Sequence, residues 1–416
     1  MPTSRTTRRP MPTLGGLGFN SPTAKADLEE LGWLNSQSVE LLWALSGAGD
    51  PDLALNTLIR LRDQLTSGDY ADGKEYADFD AAIRSDVAFR VRLLSLVGAS
   101  TAMGDHLAAN PGLWRLLAQP MPTPAEMMRE LLECVQATPL DASASATLTT
   151  PGTYRAGLTG ADAEKALKCT YRTLLMRIAA HDLAGTYPES PRRPGQPLVS
   201  FDQVTGMLTA LADAVVWGEK DYEGQMAVLA MGKCGAQELN YISDVDVIFV
   251  AEPADTKSTR VAGELIRIGC KCFFEVDAAL RPEGKQGALV RTLESHVAYY
   301  KRWAHTWEFQ ALLKARPMTG SLELGEAYVD ALTPMVWTAS QRDSFVEDVQ
   351  SMRRRVIDNV PTELLERELK LGRGSLRDVE FAVQLLQMVH GRSDESLRVR
   401  STVAALHALI AAGYVG

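Results

Sequence analysis

Residues 226–250 read MAVLAMGKCGAQELNYISDVDVIFV, and the periodicity of this stretch decides how the chain around it folds. Met226–Met231 is a continuous apolar run of strand length, ended by Gly232, and Val247–Val250 is a second one. Such runs, bounded by turn residues, fit buried strands. Asp244 and Asp246 open the second run. Successive strand side chains point to opposite faces, so these two aspartates share a face while Val245 and Val247 occupy the other. Two ionised carboxylates side by side repel each other, and each resists losing water. A divalent cation relieves both costs; Mg²⁺ suits carboxylate oxygens and shares its remaining positions with water and substrate phosphate. A third acid, Asp277, lies in the short apolar segment 273–280. If that segment pairs beside the first, three acids meet at one point, the outline of a two-metal site.

An aspartate pair at a strand start is also a common turn that hydrogen-bonds backbone amides. The neighbouring residues argue for more. Gly232-Lys-Cys-Gly235 lies between the first strand and the pair, a turn whose amides can approach phosphate oxygens, with Lys233 as a point charge. It lacks the Lys-Ser or Lys-Thr of a P-loop, so a Walker-type reading fails. Arg281, Lys314 and Arg316 are candidates for neutralising phosphate charge. Taken alone, Lys314 and Arg316 read more simply as surface ion pairs worth little. Leu371-Gly-Arg-Gly-Ser-Leu-Arg-Asp-Val-Glu380 reads as a glycine-rich turn feeding a helix, with Ser375 as N-cap and Asp378 and Glu380 suiting the positive end of the helix dipole. Its buried face is expected to comprise Leu376, Val379, Val383, Leu386 and Met388 or Val389.

Outside this insert the spacing is helical. The expected organisation is a disordered basic tail (1–26), an N-terminal helical region (27–218), an α+β core (219–294) and a C-terminal helical region (295–416). Asp50 should cap a helix that begins at Pro51. Within the core, strands are expected at 226–231, 244–250, 276–280 and 288–291, with a helix over 258–273. The fold class is therefore α+β and mostly helical, with a small mixed sheet inserted between helical regions. At 416 residues more than one core is expected. A net charge of −9 argues against a general nucleic-acid binder. No window approaches the ~18–20 apolar residues of a membrane span. The five cysteines are scattered without metal-site spacing, which reads as reduced thiols and a cytoplasmic location. The aromatic cluster from Tyr299 to Phe309 reads as core, and none of the six histidines adjoins the acids.

Four ordered blocks carry a closer likeness: Gly232–Asp246, Val276-Asp-Ala-Ala-Leu-Arg-Pro-Glu-Gly284, Trp307-Glu-Phe-Gln-Ala-Leu-Leu-Lys-Ala-Arg-Pro317 and Leu371–Gly391. Together they resemble the glutamine synthetase adenylyltransferase family, within the nucleotidyltransferase superfamily typified by DNA polymerase beta. The close match covers roughly residues 220–416. Members of that family have about twice this length and carry two nucleotidyltransferase domains, one removing AMP from glutamine synthetase and one attaching it. The resemblance implies the N-terminal, adenylyl-removing half, and the apolar helical pattern 403–415, which stops without a polar cap, fits part of a longer chain. One departure stands out. The superfamily often has Gly-Ser where this chain has Gly235-Ala236, so a serine contact to phosphate is absent there.

The resemblance implies phosphorolysis: inorganic phosphate attacks the tyrosyl-AMP diester and releases ADP. It further implies Asp244, Asp246 and Asp277 as catalytic metal ligands, for two Mg²⁺ ions or for Mn²⁺. Gly232, Lys233, Gly235, Ser243, Arg281, Lys314 and Arg316 become the nucleotide-binding candidates. The implied partners are adenylylated glutamine synthetase, nucleotide and inorganic phosphate, a PII signal protein, and a C-terminal adenylyltransferase half if this is a fragment. Neither membrane nor nucleic acid is expected as a partner. Alternatives are forward adenylylation from ATP, nucleotidyl transfer to another protein, and a regulatory binding module without turnover. Transfer to RNA ends conflicts with the acidic charge.

Overall fold

The structure is a computed structural model that describes residues 12–139, 147–149, 154–185, 187, 199–213, 224–358, 360–364 and 367–416. The chain divides into two compact units, Met1–Met127 with Cys169–Met207, and Met128–Lys168 with Leu208–Gly416. The expected boundary at 218 and residues 1–11 of the expected tail lie outside the described residues.

The first unit is helical. Asp50 caps the helix Pro51–Leu65 as expected, accepting the Leu53 N–H at 3.0 Å. That helix buries Leu55, Leu58, Leu61 and Leu65, which recur at helical spacing. Phe79, Phe89 and Trp114 meet edge-on or tilted within the same core. Residues 12–26, expected to belong to a disordered tail, are ordered. A 3₁₀ turn at Gly15–Leu17 leads to the helix Ala24–Glu30, and Leu17 and Phe19 are buried. Glycine and proline forbid a long helix there, yet they permit a turn that buries two apolar side chains. Asp52 secures it by accepting the Asn20 and Ser21 N–H groups.

The second unit is α+β. Its sheet has five strands: β1 (Gln225–Ala230), β2 (Val245–Glu252), β3 (Val276–Asp277), β4 (Val290–Arg291) and β5 (Arg316–Gly320). β1 is antiparallel to both β2 and β5, whereas β3 and β4 run parallel to β2. The sheet is thus mixed, and β2 is central. Val247 through Ala251 are all buried, which is why this strand reads as an unbroken apolar run rather than an alternating one. The helix Thr256–Cys272 joins β2 to β3, and Asp255 and Ser258 close a capping box at its start.

β5 departs from the expectation of continuous helix beyond residue 295. Pro317 masks the strand signal, but β5 lies at the sheet edge and meets β1 at a bulge, where a missing N–H is tolerated. A further pair, Thr138–Pro139 with Tyr154–Arg155, interrupts the region expected to be wholly helical. Tyr299, Tyr300 and Phe309 are core, as expected, whereas Trp303 is exposed. Among the described residues no single helix is long and apolar enough to cross a membrane.

Candidate functional site

The end of β1 and the start of β2 lie side by side, because the antiparallel register sets Ala230 against Val247. The Met231 N–H donates to the Asp246 carbonyl at 2.8 Å and ties the two strand ends together. The chain then makes a four-residue helical turn, Gly232–Gly235, where a turn was expected. Gly232 has φ +52°, and a Cβ there would overlap Asp246 Oδ2. Glycine is required on both counts. A Cβ on Gly235 would collide with the carbonyl oxygens of Lys314 and Ala230. The two glycines are therefore packing residues that let this turn lie directly on Asp246 and on the backbone near β5.

The acids come together as the strand logic requires. In the parallel register of β2 with β3, Val245 faces Val276 and Asp246 faces Asp277. Val245 and Val276 are buried on the opposite face, while Asp246 and Asp277 are partly buried and Asp244 is exposed. Asp277 Oδ1 accepts the Ala279 N–H at 2.7 Å, which fixes one of its oxygens. Burial, followed by the charges of Asp244 and Asp277, pushes the Asp246 carboxyl up to about 6.

Among the described residues no three His, Cys, Asp or Glu side chains stand close enough to hold a metal ion by themselves. The acids still fit Mg²⁺, which keeps several waters and needs only one or two carboxylates beside substrate phosphate. The donor set is oxygen only, and its central member carries an ionised charge that burial and two neighbouring carboxylates disfavour.

Of the remaining candidates, Lys233 and Ser243 lie at the site. Lys233 Nζ reaches Ser243 Oγ at 3.4 Å, and Ser243 donates to Asn240 Oδ1 at 2.9 Å, so the serine braces the loop before β2. Burial, then the charge of Lys370, holds the Lys233 ammonium below its ordinary value, with Asp244 opposing. Arg281, Lys314 and Arg316 each engage other groups of the protein. Arg281 clasps its own turn, donating to the carbonyls of Ala278, Lys285 and Gly287 at 2.7, 2.9 and 3.1 Å. Lys314 is buried and donates to Glu380 Oε1 at 2.7 Å and Thr402 Oγ1 at 3.0 Å, with Glu238 at 3.5 Å. Arg316 pairs with Asp213 at 2.9 Å and donates to the Cys234 carbonyl at 3.1 Å. Of the three only Lys314 is fully buried, and a buried cation is stable when it is paired in this way.

The segment 370–380 differs from the capping expectation. The Ser375 side chain makes no cap hydrogen bond, and its Oγ donates to the Lys370 carbonyl at 2.8 Å. Asp378 takes the Gly374 N–H at 2.6 Å and pairs with Arg353. Glu380 turns inward to Lys314 and Arg377, whose positive charges hold its carboxyl below the usual range against the opposing effect of burial. The charges of Arg377 and Lys370 favour the ionised form of Asp246 and oppose the effects of burial, Asp244 and Asp277. Sequence reasoning gave these two cations no role. The available signal was a pair of basic residues flanking a glycine-rich turn.

A small mixed sheet presents acids at one strand start and on its parallel neighbour, beneath a glycine-bounded turn, the arrangement that the resemblance to nucleotidyltransferases led us to expect. The family model for glutamate-ammonia ligase adenylyltransferase matches residues 91–330, and that for GlnD PII-uridylyltransferase matches residues 345–416. The chain belongs to the glutamate-ammonia ligase adenylyltransferase family. Among curated relatives, the bifunctional glutamine synthetase adenylyltransferase/adenylyl-removing enzyme of Corynebacterium efficiens is 63% identical over 98% of this chain and 41% of its own length. The enzymes of the same name from Corynebacterium glutamicum and Mycobacterium tuberculosis are 62% and 48% identical over 98% and 100% of this chain. The chain spans about two-fifths of the length of these relatives (41% and 40%).

Proposed function

We propose that this chain removes AMP from an adenylylated tyrosine of glutamine synthetase by phosphorolysis. The observation that carries the reading is the facing of Asp246 and Asp277 across β2 and β3, with Asp244 two residues before Asp246. An oxygen of inorganic phosphate bonds to the phosphorus of the tyrosyl-AMP diester, and the bond from that phosphorus to the tyrosine oxygen breaks. The hydrogen phosphate proton ends on the released phenol, so the products are ADP and unmodified tyrosine. The nucleophile is already an oxyanion at neutral pH and needs no strong base, while the phenol, with a pKa of about 10, leaves more readily than an alkoxide. The work left to the protein is alignment and charge neutralisation.

Asp244, Asp246 and Asp277 would hold Mg²⁺ as two ions, with Mn²⁺ an alternative; when bound, the metal would neutralise charge on the phosphoryl oxygens. Gly232 and Gly235 bring the turn close to the acids, and Lys233 adds a cation at its edge. Forward adenylylation from ATP would use the same acids but must also deprotonate a phenol, whereas removal starts from a nucleophile that is already an anion. The match of 345–416 to the GlnD PII-uridylyltransferase model supports a PII signal protein as regulatory partner. A cytoplasmic location is part of the same reading.

The test is to incubate the chain with adenylylated synthetase and Mg²⁺, with and without inorganic phosphate, and weigh the intact synthetase subunit. Loss of one AMP moiety only where phosphate is present is expected. An unchanged mass in both would refute the reading.

A further inference from the structure

The loop that joins the glycine-bounded turn to β2 is fastened at both ends. Leu239 is buried, and Glu238 accepts the Ser401 hydroxyl at 2.9 Å and the Thr402 N–H at 2.7 Å. Those two bonds hold the loop on the start of the helix Thr402–Ala411. Nearer to β2, Asn240 Oδ1 accepts the Ile242 N–H at 3.1 Å and the Ser243 hydroxyl at 2.9 Å. The Asn240 N–H donates back to Ser243 Oγ at 3.3 Å. An asparagine that bonds the backbone two residues on fixes a tight turn.

This braced turn holds an apolar side chain out in water. Ile242 is 93% exposed, and Tyr241 beside it is 39% exposed. Single exposed apolar residues are common and carry no meaning by themselves. The position of this one does. Ile242 precedes Asp244 by two residues, so chain geometry keeps their Cα atoms within about 7 Å of each other. The isoleucine therefore stands on the rim of the acidic site. A tyrosine side chain is short, a single ring beyond its Cβ. A phosphorus held at Asp244, Asp246 and Asp277 thus brings the polypeptide on either side of that tyrosine against the rim.

We propose that Ile242, with Tyr241 beside it, is an apolar lip that docks the polypeptide segment flanking the adenylylated tyrosine. The lip rests on the function proposed above and names the part of the protein substrate that this edge of the site takes. A turn already fixed loses little conformational freedom on docking, so burial of the isoleucine contributes to affinity with little offset.

The test measures AMP removal by the whole chain, in Mg²⁺ and phosphate, from two substrates. One is adenylylated glutamine synthetase, and the other is a small diester of AMP with N-acetyltyrosine amide. Ile242→Ala should raise KM for the protein about ten- to a hundredfold and leave kcat within about twofold of the parent. KM for the small diester should stay within about twofold of the parent's. Ile242→Leu, which keeps the apolar volume, should behave as the parent does on both. Melting temperatures equal to the parent's exclude unfolding as the cause. An equal rise in KM on both substrates would place Ile242 against the nucleotide and overturn the lip, as would an unchanged KM for the protein. Binding of adenylylated synthetase to the immobilised chain, without phosphate, covers a chain that removes no AMP. Binding by the parent that Ile242→Ala weakens about tenfold would then keep the lip and refute the proposed function alone. A variant that binds as the parent does, or a parent that does not bind, overturns the lip.

Discussion

Asp246 and Asp277 stand directly opposite one another in the parallel pairing of two neighbouring strands, one of eight residues and one of two. Adjacent strands lie about 4.8 Å apart, so two carboxylates on the same face of such a pair cannot avoid each other. Burial adds to the repulsion. The fold therefore maintains a charge arrangement that costs stability and suits a divalent cation.

That cost has a sign and a pH window. Asp246 is pushed up to about 6, above the ordinary carboxylate value near 4, so the folded protein holds this proton more tightly than the unfolded chain does. The penalty is absent below about pH 4, grows between about 4 and 6 and is complete above 6, at roughly 2–3 kcal/mol. Asp246→Asn should therefore melt higher than the parent at pH 8 without divalent ions, and the gap should close near pH 4. Added Mg²⁺ should raise the parent's melting temperature and have little effect on the variant. A variant that melts lower at pH 8 would show that Asp246 is structural, and one that keeps full turnover would remove it from the chemistry.

The two glycines of the turn should fail differently. Gly232→Ala places a methyl on Asp246 Oδ2 at a positive φ, costing about 1–2 kcal/mol of backbone strain and displacing the carboxylate. The expected result is a folded chain with turnover reduced at least a hundredfold. Gly235→Ala drives a methyl into two backbone carbonyls, so a loss of stability of several kcal/mol should dominate. Chemical denaturation beside an activity assay separates the two, and equal stability losses would contradict the assignment.

Lys314→Ala leaves Glu238 and Glu380 without their shared cation and should destabilise by about 3–5 kcal/mol. At a temperature where the variant remains folded, its ADP affinity should stay within a few fold of the parent's. A greater loss of ADP affinity would return Lys314 to the nucleotide site.

The sheet and its acidic face were legible because they depend on local periodicity. Met226–Met231 and Val247–Val250 are continuous apolar runs since β1 and β2 are covered on both faces, and alternation alone puts Asp244 and Asp246 together. The capped helix after Asp50 was legible for the same local reason. The roles of the cations were not, because each is decided by a partner far along the chain. Arg316 meets Asp213, 103 residues away, and Lys314 meets Glu380, 66 residues away. β5 was hidden by Pro317, whose presence only an edge position explains. The helix Leu376–His390 shows the same limit. Leu376 and Val379, expected on its buried face, are 71% and 48% exposed, while Gln384 and Gln387 are buried because each finds a hydrogen-bond partner. Helical spacing locates a stripe, but tertiary partners decide where along it burial begins.

The most direct measurement supplies adenylylated glutamine synthetase, Mg²⁺ and inorganic phosphate labelled with heavy oxygen, then identifies the released nucleotide by mass. A parallel reaction holds unmodified synthetase with ATP. Phosphorolysis predicts ADP carrying the label in its terminal phosphoryl group, and no mass gain on the synthetase in the parallel reaction. Release of unlabelled AMP, or attachment of AMP from ATP, would contradict the account.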